Sequence, residues 1–243
     1  MTARFLEHAA SSVVRVGGGR GFVIQHGWQR YIITTAHCLP HLPPAHPASY
    51  LEERTYSNVL GPLNDDLSIT AECVFADSVA DVAVLGSPDD QVLDDEAEAF
   101  DSFVDAFGKI RIADGAPRTA WLLSLDGKWF RSPVSHGARW VGASGEVSGM
   151  SGSPIVTRGG AIAIVSTNAL NPRLASCLPG WLLKEHRAVV MSVYVVEING
   201  RGIIAFNAGS AAEAEMFTED ESFRADLSVL ESDGRPVWDD EAE

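Results

Sequence analysis

Three short segments of the chain hold residue types that together can cleave an amide bond. The segment Thr34–Cys38 reads Thr-Thr-Ala-His-Cys and places His37 at the end of an apolar run. Asp81 opens a second apolar run, and Ser151 lies in the glycine-rich segment Gly149–Pro154. A serine hydroxyl becomes a nucleophile when a neighbouring base takes its proton and a third group orients that base. The three segments therefore predict acyl transfer at a serine.

Each of these residues also has an ordinary structural explanation when it is taken alone. A serine between glycines is commonly a turn residue, and a histidine after an apolar strand is commonly a hydrogen-bonded structural group. A carboxylate at the start of a strand is commonly solvated, and Asp77 is a competing candidate for the acid. Asp77 does not directly open the buried run, whereas Asp81 does, so the pattern favours Asp81.

The three segments resemble the TAAHC, DIAL and GDSGGP motifs of the trypsin/chymotrypsin-like serine peptidases, in the order His, Asp, Ser. The spacings are 44 residues from His37 to Asp81 and 70 residues from Asp81 to Ser151, compact like those of bacterial intracellular relatives. The resemblance covers residues 11–187. It implies that His37 is the general base, Asp81 its orienting carboxylate and Ser151 the nucleophile that forms an acyl-enzyme.

The same resemblance implies the remaining parts of the site. Backbone N–H groups of Gly149 and Ser151 are expected to form the oxyanion hole, and Gly149 suits this because glycine adopts dihedrals that other residues avoid. No cofactor and no metal are expected. The substrate pocket is expected to be lined by Gly145 and Glu146 on one side. Ser166, Thr167 and Asn168 are expected on the other.

The resemblance also bears on substrate specificity, through Glu146, and on activation, through Met150. Glu146 attracts a basic substrate side chain if it points inward and lies in solvent if it points outward, and both orientations stay open. Met150 stands where secreted relatives carry an Asp that pairs with a newly cleaved N-terminus. Because methionine cannot form that ion pair, activation by N-terminal trimming is not expected.

The composition of the chain bears on whether it folds, which partners it can bind and where in the cell it works. Of the 243 residues 46% are hydrophobic, which favours a folded chain over a disordered one. A net charge of −15 argues against binding to nucleic acid or to an anionic membrane. No apolar run approaches the roughly 20 residues that span a bilayer, and the N-terminus does not read as a secretory signal. Three cysteines, odd in number and widely spaced, are interpreted as buried thiols, so we expect a cytoplasmic protein.

The elements that must position these residues are mainly β-strands. Short β-branched and aromatic runs alternate with turn residues on both sides of a polar stretch. This favours two packed six-stranded antiparallel barrels, as in the chymotrypsin-like fold. The predicted peptidase domain is 1–187, with barrel one over about 11–86, a connector over about 87–106 and barrel two over about 107–187. A short helix near 178–186 and a hairpin over 191–206 are predicted beyond it.

The C-terminal extension, 188–243, carries much of the negative charge. Residues 211–243 hold twelve acids and two bases, and Asp89–Asp105 holds eight acids and no base. Both runs are interpreted as solvated surface. Large hydrophobic residues scattered through the tail also fit a docking or regulatory element that binds a protein partner.

These observations predict a serine endopeptidase that acts on protein or peptide substrates, as the effector of an intracellular bacterial pathway. The alternative is a pseudoenzyme that keeps the protease fold as a binding module. A complete set of three catalytic residue types argues against the alternative, because a binding module has no chemical reason to keep them.

Overall fold

The computed structural model describes residues 2–44, 53–137, 141–145, 148–166, 173–183, 192–198, 201–208, 211, 215, 218, 231–232 and 235–236. The chain divides into two compact units, Met1–Glu185 and His186–Glu243. All the residues singled out above for chemistry lie in the first unit, and the two units are described separately below.

The first unit opens with a closed antiparallel barrel of six strands in the order β1-β2-β3-β6-β5-β4. Its strands are β1 (Val13–Val16), β2 (Gly19–His26), β3 (Gln29–Thr34), β4 (Thr55–Gly61), β5 (Ile69–Asp77) and β6 (Val82–Gly86). This confirms the mainly β class and the first predicted barrel.

Strand β6 shows why the barrel strands read as continuous apolar runs. Val82 and Val84 belong to one hydrophobic cluster, whereas Ala83 and Leu85 belong to another. Successive side chains of a strand point to opposite faces, so a strand buried on both faces has no polar side. Asp81 therefore lies directly before the first residue of a fully buried strand.

The acidic stretch after the barrel is not simply a solvated connector. Helix α2 spans Asp94–Asp105 and buries Ala97, Phe100 and Val104. Phe100 and Val104 pack in the hydrophobic cluster that contains Val14, Ile32 and Leu85, which is called the barrel cluster below. The acids occupy the remaining faces of the helix. The prediction of a solvated connector missed this helix, because the eight acids outweighed a three-residue apolar stripe. A second helix, α1 (Thr2–Ala10), was not predicted either; it buries Leu6 and Ala9.

The second half of the first unit contains an open four-stranded sheet in the order β12-β11-β7-β8. Its strands are β7 (Thr119–Leu123), β8 (Trp129–Pro133), β11 (Pro154–Thr157) and β12 (Gly160–Ile164), with β9 (Ser135–His136) and β10 (Val141–Gly142) forming a separate pair. The described residues thus form no second closed barrel. Strand β8 ends at Pro133, which has no N–H to extend a ladder. The next strands hold two residues each.

Two one-turn helices pack against the core of the first unit. Helix α3 spans Leu174–Cys177 and α4 spans Gly180–Leu183. Leu174, Leu178 and Leu182 are buried in the cluster that also contains Val84 and Val156. The predicted helix at 178–186 is therefore found as a shorter helix, and positions 184–186 lie outside the described residues.

The second unit contains the predicted hairpin. Strands β13 (Ser192–Ile198) and β14 (Arg201–Ala208) pair antiparallel with a register shift between Val196 and Glu197. A two-residue pair, β15 (Glu231–Ser232) with β16 (Arg235–Pro236), lies in the acidic tail. Most of 211–243 lies outside the described residues, so the docking role of the tail stays a prediction.

Among the residues that the structure describes, no helix has the length and apolar character needed to cross a bilayer.

Candidate active site

The imidazole of His37 is presented by a short turn at the end of β3. Thr34 ends that strand, and a 3₁₀ turn covers Ala36–Cys38. Ala36 and Cys38 are buried, whereas the His37 side chain is 38% exposed. The turn therefore anchors both neighbours of His37 and leaves its ring accessible to a substrate.

The structure separates the two candidate acids, Asp77 and Asp81. The Asp77 Oδ1 accepts hydrogen bonds from the backbone N–H groups of Val79 and Ala80, both at 2.9 Å. Asp77 thus builds the turn between β5 and β6. Asp81 follows that turn with φ at +53°, a conformation that Asp tolerates better than most residues.

Asp81 faces His37 directly. The His37 Nδ1 lies 2.8 Å from Oδ2 and 3.0 Å from Oδ1 of Asp81, and the backbone N–H of His37 donates to Oδ1 at 3.1 Å. The Asp81 side chain is only 12% exposed. A carboxylate accepts a hydrogen bond from Nδ1–H of the imidazole, and in a neutral ring this leaves Nε2 as the basic atom.

Ser166 provides a further contact that sequence reasoning missed. From the sequence this residue was assigned to the pocket wall, but its hydroxyl donates a hydrogen bond to Oδ2 of Asp81. The two residues are 85 positions apart, so no local pattern signals the contact. Ser166 thus joins the second half of the first unit to the acid beside His37.

The glycine-rich turn holds Ser151 between two residues with positive φ, Gly149 at +91° and Gly152 at +81°. Met150, between Gly149 and Ser151, is fully buried. The Gly152 N–H donates to the Val165 carbonyl at 2.7 Å, which fixes the turn to the segment after β12. Dihedrals of this kind favour glycine, which explains the composition of the segment.

Ser151 is also fixed to the barrel that carries His37. Its carbonyl accepts a hydrogen bond of 2.7 Å from the Arg20 backbone N–H. The Cys38 Sγ, in the residue after His37, lies 3.8 Å from the same oxygen. The main chain at Ser151 therefore lies against the turn that presents His37.

Within the described residues no hydrogen bond joins the ring of His37 to the Ser151 hydroxyl. Such bonds are commonly long before substrate binds and tighten in the reacting complex. Across the same described residues, the backbone N–H groups of Gly149 and Ser151 donate to no other group. Two donors on one turn are thus available to an oxyanion.

The other predicted pocket residues are only partly described. Gly145 has φ at +91°, and a Cβ at that position would lie 2.7 Å from the Phe130 ring. Gly145 therefore lets the chain pass close to Phe130. Glu146, Thr167 and Asn168 lie outside the described residues, so their place in the pocket stays a prediction.

Cys38, beside His37, and Cys73, in β5, are free thiols. Cys38 and Cys73 are buried, and Cys177 is partly exposed. Burial raises the pKa of the Cys38 thiol, although hydrogen bonds from Thr35 and Thr34 act in the opposite direction. Cys38 is thus a protonated space-filling neighbour of His37 at neutral pH.

No protein-family model matches the sequence, and no curated protein matches it. The solved structures similar to this chain include the NSP4 proteinase from Equine Arteritis Virus. It shares 16% identity at a TM-score of 0.43, over 67% of this chain and 70% of that one. A human pathogenic astrovirus serine protease shares 13% identity at a TM-score of 0.45, over 70% of this chain and 94% of that one. The serine endoprotease from Yersinia pestis shares 15% identity at a TM-score of 0.43, over 80% of this chain and 72% of that one.

Proposed function

We propose that this chain is a serine endopeptidase in which His37, Asp81 and Ser151 carry the reaction. The observation that supports this most directly is the contact of 2.8 Å between Nδ1 of His37 and Oδ2 of a buried Asp81. The Ser151 turn lies against the residue that follows His37, as its carbonyl contacts show. Because the three structures compared above share only 13–16% identity with this chain, the proposal rests on the geometry of these residues.

The proposed reaction begins with proton transfer from the Ser151 hydroxyl to Nε2 of His37. The serine oxygen then bonds to the carbonyl carbon of a peptide, whose oxygen becomes an anion. The N–H groups of Gly149 and Ser151 stabilise that anion, and Asp81 stabilises the imidazolium. His37 returns the proton to the leaving amine as the C–N bond breaks. Water then attacks the acyl-enzyme while His37 takes its proton. His37 returns that proton to the Ser151 oxygen as the acid product leaves.

Met150 stands in the turn where the resemblance to secreted relatives would place an ion-pairing Asp. Met150 is fully buried among Leu122, Ile155 and Ile162, where a charged group would be costly. We propose that hydrophobic packing of Met150, and not a newly cleaved N-terminus, fixes the oxyanion turn. Gly145 and the segment around Ser166 are proposed to flank the substrate.

We also propose that the protein works in the cytoplasm of a bacterial cell, where free thiols such as buried Cys38 and Cys73 persist. The extension 188–243 is proposed to dock a regulatory protein, because twelve acids are interspersed with large hydrophobic residues over 211–243. Deletion after Ser210 should then release a partner from complexes purified from the native cell. A deletion variant that retains every partner would refute the docking role, and recovery of the protein outside the cytoplasm would refute the location.

Hydrolysis of an internally quenched peptide library tests the proposed activity. Purified protein should release fluorescence, and Ser151→Ala or His37→Ala should lower turnover by several orders of magnitude. Ser153→Ala is a matched control, because Ser153 is a buried serine two positions further along the same turn. Ser151→Ala protein that cleaves peptides at the wild-type rate would contradict the proposal. A chain that binds peptides without cleaving any would be the binding module.

A further inference from the structure

Arg20, in strand β2, is a buried cation that the reaction above does not use. The residue is 7% exposed, and its guanidinium donates to backbone carbonyls. Nη1 donates to Leu123 at 2.9 Å and to Ser124 at 3.3 Å, and Nη2 donates to Ser124 at 3.2 Å. No carboxylate pairs with it within the described residues. A buried charge without a counter-ion is costly, and an apolar residue would fill the same space at lower cost.

The backbone of Arg20 lies between the two catalytic segments. Its N–H donates to the Ser151 carbonyl at 2.7 Å, and its carbonyl accepts from the Thr34 hydroxyl, also at 2.7 Å. Thr34 is three positions before His37. A Cβ on Gly152 would overlap the Arg20 carbonyl oxygen, so the turn and β2 are in direct contact. A shift of Arg20 therefore shifts the main chain at Ser151 relative to β3.

The other end of the Arg20 side chain holds the turn between β7 and β8. Leu123 ends β7, and Ser124 begins the turn, which is closed by a hydrogen bond of 2.9 Å from the Ser124 N–H to the Lys128 carbonyl. Leu125 follows, and its Cδ2 is 3.6 Å from the position of a Cβ on Gly149. The turn that Arg20 holds thus lies against the glycine whose N–H is a candidate oxyanion donor.

We propose that Arg20 is a positioning residue of the peptidase, which fixes both sides of the Ser151 turn relative to His37. The main chain of Arg20 holds Ser151, and its guanidinium holds Leu125 against Gly149. Arginine suits this role because its planar fork donates to two carbonyls at once, whereas lysine offers a compact ammonium on a flexible chain. The inference rests on the proposed function, because it assigns a role within that reaction.

The test measures the rate of labelling by a fluorophosphonate probe and the kcat and KM for a cleaved peptide. Arg20→Met removes the donors and keeps an unbranched, apolar stem, and Arg20→Lys keeps the charge. Arg15→Met is the matched control, because Arg15 is the cross-strand neighbour of Arg20 and donates to a single exposed carbonyl, that of Asp65. Val104→Ala controls for lost stability, since Val104 is fully buried on helix α2 and not on the strands that hold Arg20 and its partners.

Arg20→Met should label about 10²-fold more slowly, the usual effect of misplacing one oxyanion donor. Arg20→Lys should recover part of that loss, and kcat should fall while KM changes by less than about threefold. Both controls should label within about twofold of wild type. The pH midpoint of labelling should not move, because the pair of His37 and Asp81 is untouched.

Wild-type labelling rates in folded Arg20→Met would overturn the positioning role. If Arg20→Met does not fold, Arg20→Lys decides the question, and a wild-type rate there would have the same meaning. An equal loss in Val104→Ala would assign the effect to stability and also overturn the role. A wild-type protein that takes up no probe is a different result, because it refutes the peptidase function and with it this role.

Discussion

At the scale of single residues, the backbone at Asp81 is as informative as its hydrogen bonds. Only two non-glycine residues of the described chain have positive φ, Asn58 and Asp81. Such conformations are of order 1–3 kcal/mol unfavourable and persist where the surroundings determine them, often at functional sites. At Asp81 the surroundings include the Asp77 turn before it, β6 after it, and the two partners His37 and Ser166. At one of these two positions, Asp81, the carboxylate contacts the imidazole of His37.

A pair of substitutions separates the roles of the two acids. Asp81→Asn should lower turnover on the order of 10⁴-fold, because the amide favours the wrong imidazole tautomer. Asp77→Ala should remove only the two hydrogen bonds of a turn, at about 1 kcal/mol each, and should leave most activity in the fraction of protein that is folded. Steady-state hydrolysis and thermal unfolding of both variants provide the check. Equal losses of turnover in the two variants would show that the geometry at Asp81 has no special role.

At the scale of elements, local pattern predicted most of the strands and the short helix near 178–186, but not helices α1 and α2. Strand β6 was predicted correctly because a fully buried strand leaves a continuous apolar run. Helix α2 was missed because Ala97, Phe100 and Val104 make a narrow stripe among the six acids of the helix. Acids in the first turn, such as Asp94, favour a helix N-terminus, so the charges that suggested solvated chain also stabilise α2.

Helix α2 gives a direct prediction about stability. Phe100 is fully buried in the barrel cluster, whereas its neighbour Asp101 is exposed. Phe100→Ala should lower the free energy of unfolding by about 3–5 kcal/mol, because it deletes a ring from a packed cluster. Asp101→Ala should change the same quantity by no more than about 0.5 kcal/mol. Urea unfolding of the two variants measures both values. A small effect at Phe100 would mean that α2 does not pack on the barrel in solution.

The parts of the site that sequence could predict are those encoded in short segments. His37, Asp81 and Ser151 each stand beside a turn or strand signal, so their types and order suggested a common chemistry. Ser166 and Arg20 have no such signal, because their partners lie 85 to 104 residues away. The Gly-Gly-Gly-Arg-Gly sequence around Arg20 reads only as a turn between strands. Contacts of this kind depend on how the second sheet meets the barrel, which local periodicity does not encode.

At the scale of the whole molecule, the chain places all the described site residues in the unit Met1–Glu185. The N-terminal helix α1 belongs to this unit, and its Leu6 and Ala9 pack in the same cluster as Val84 and Val156. Helix α1 therefore contributes to the hydrophobic core of this unit. Met150 is also fully buried in an apolar cluster.

This arrangement predicts that activity does not depend on a free N-terminal amine. Protein extended by a flexible Gly-Ser segment before Met1 should label with a fluorophosphonate within about twofold of the unextended rate. Met150→Asp is the matched variant, because a carboxylate placed in that apolar cluster costs several kcal/mol and should reduce labelling and stability together. A strict requirement for a particular free N-terminus would show that the oxyanion turn is assembled in another way.

The most direct test of the central claim is to identify the atom that a fluorophosphonate modifies. Intact-mass and peptide-mapping spectra of the labelled wild-type protein should show one adduct per chain, located on Ser151. The adduct should be lost in Ser151→Ala and should form far more slowly in His37→Ala and Asp81→Asn. The fluorophosphonate is expected to leave Ser153, which is buried on the same turn, unmodified. A folded wild-type protein that takes up no label at Ser151, or takes it up equally without His37, would contradict the proposed serine peptidase.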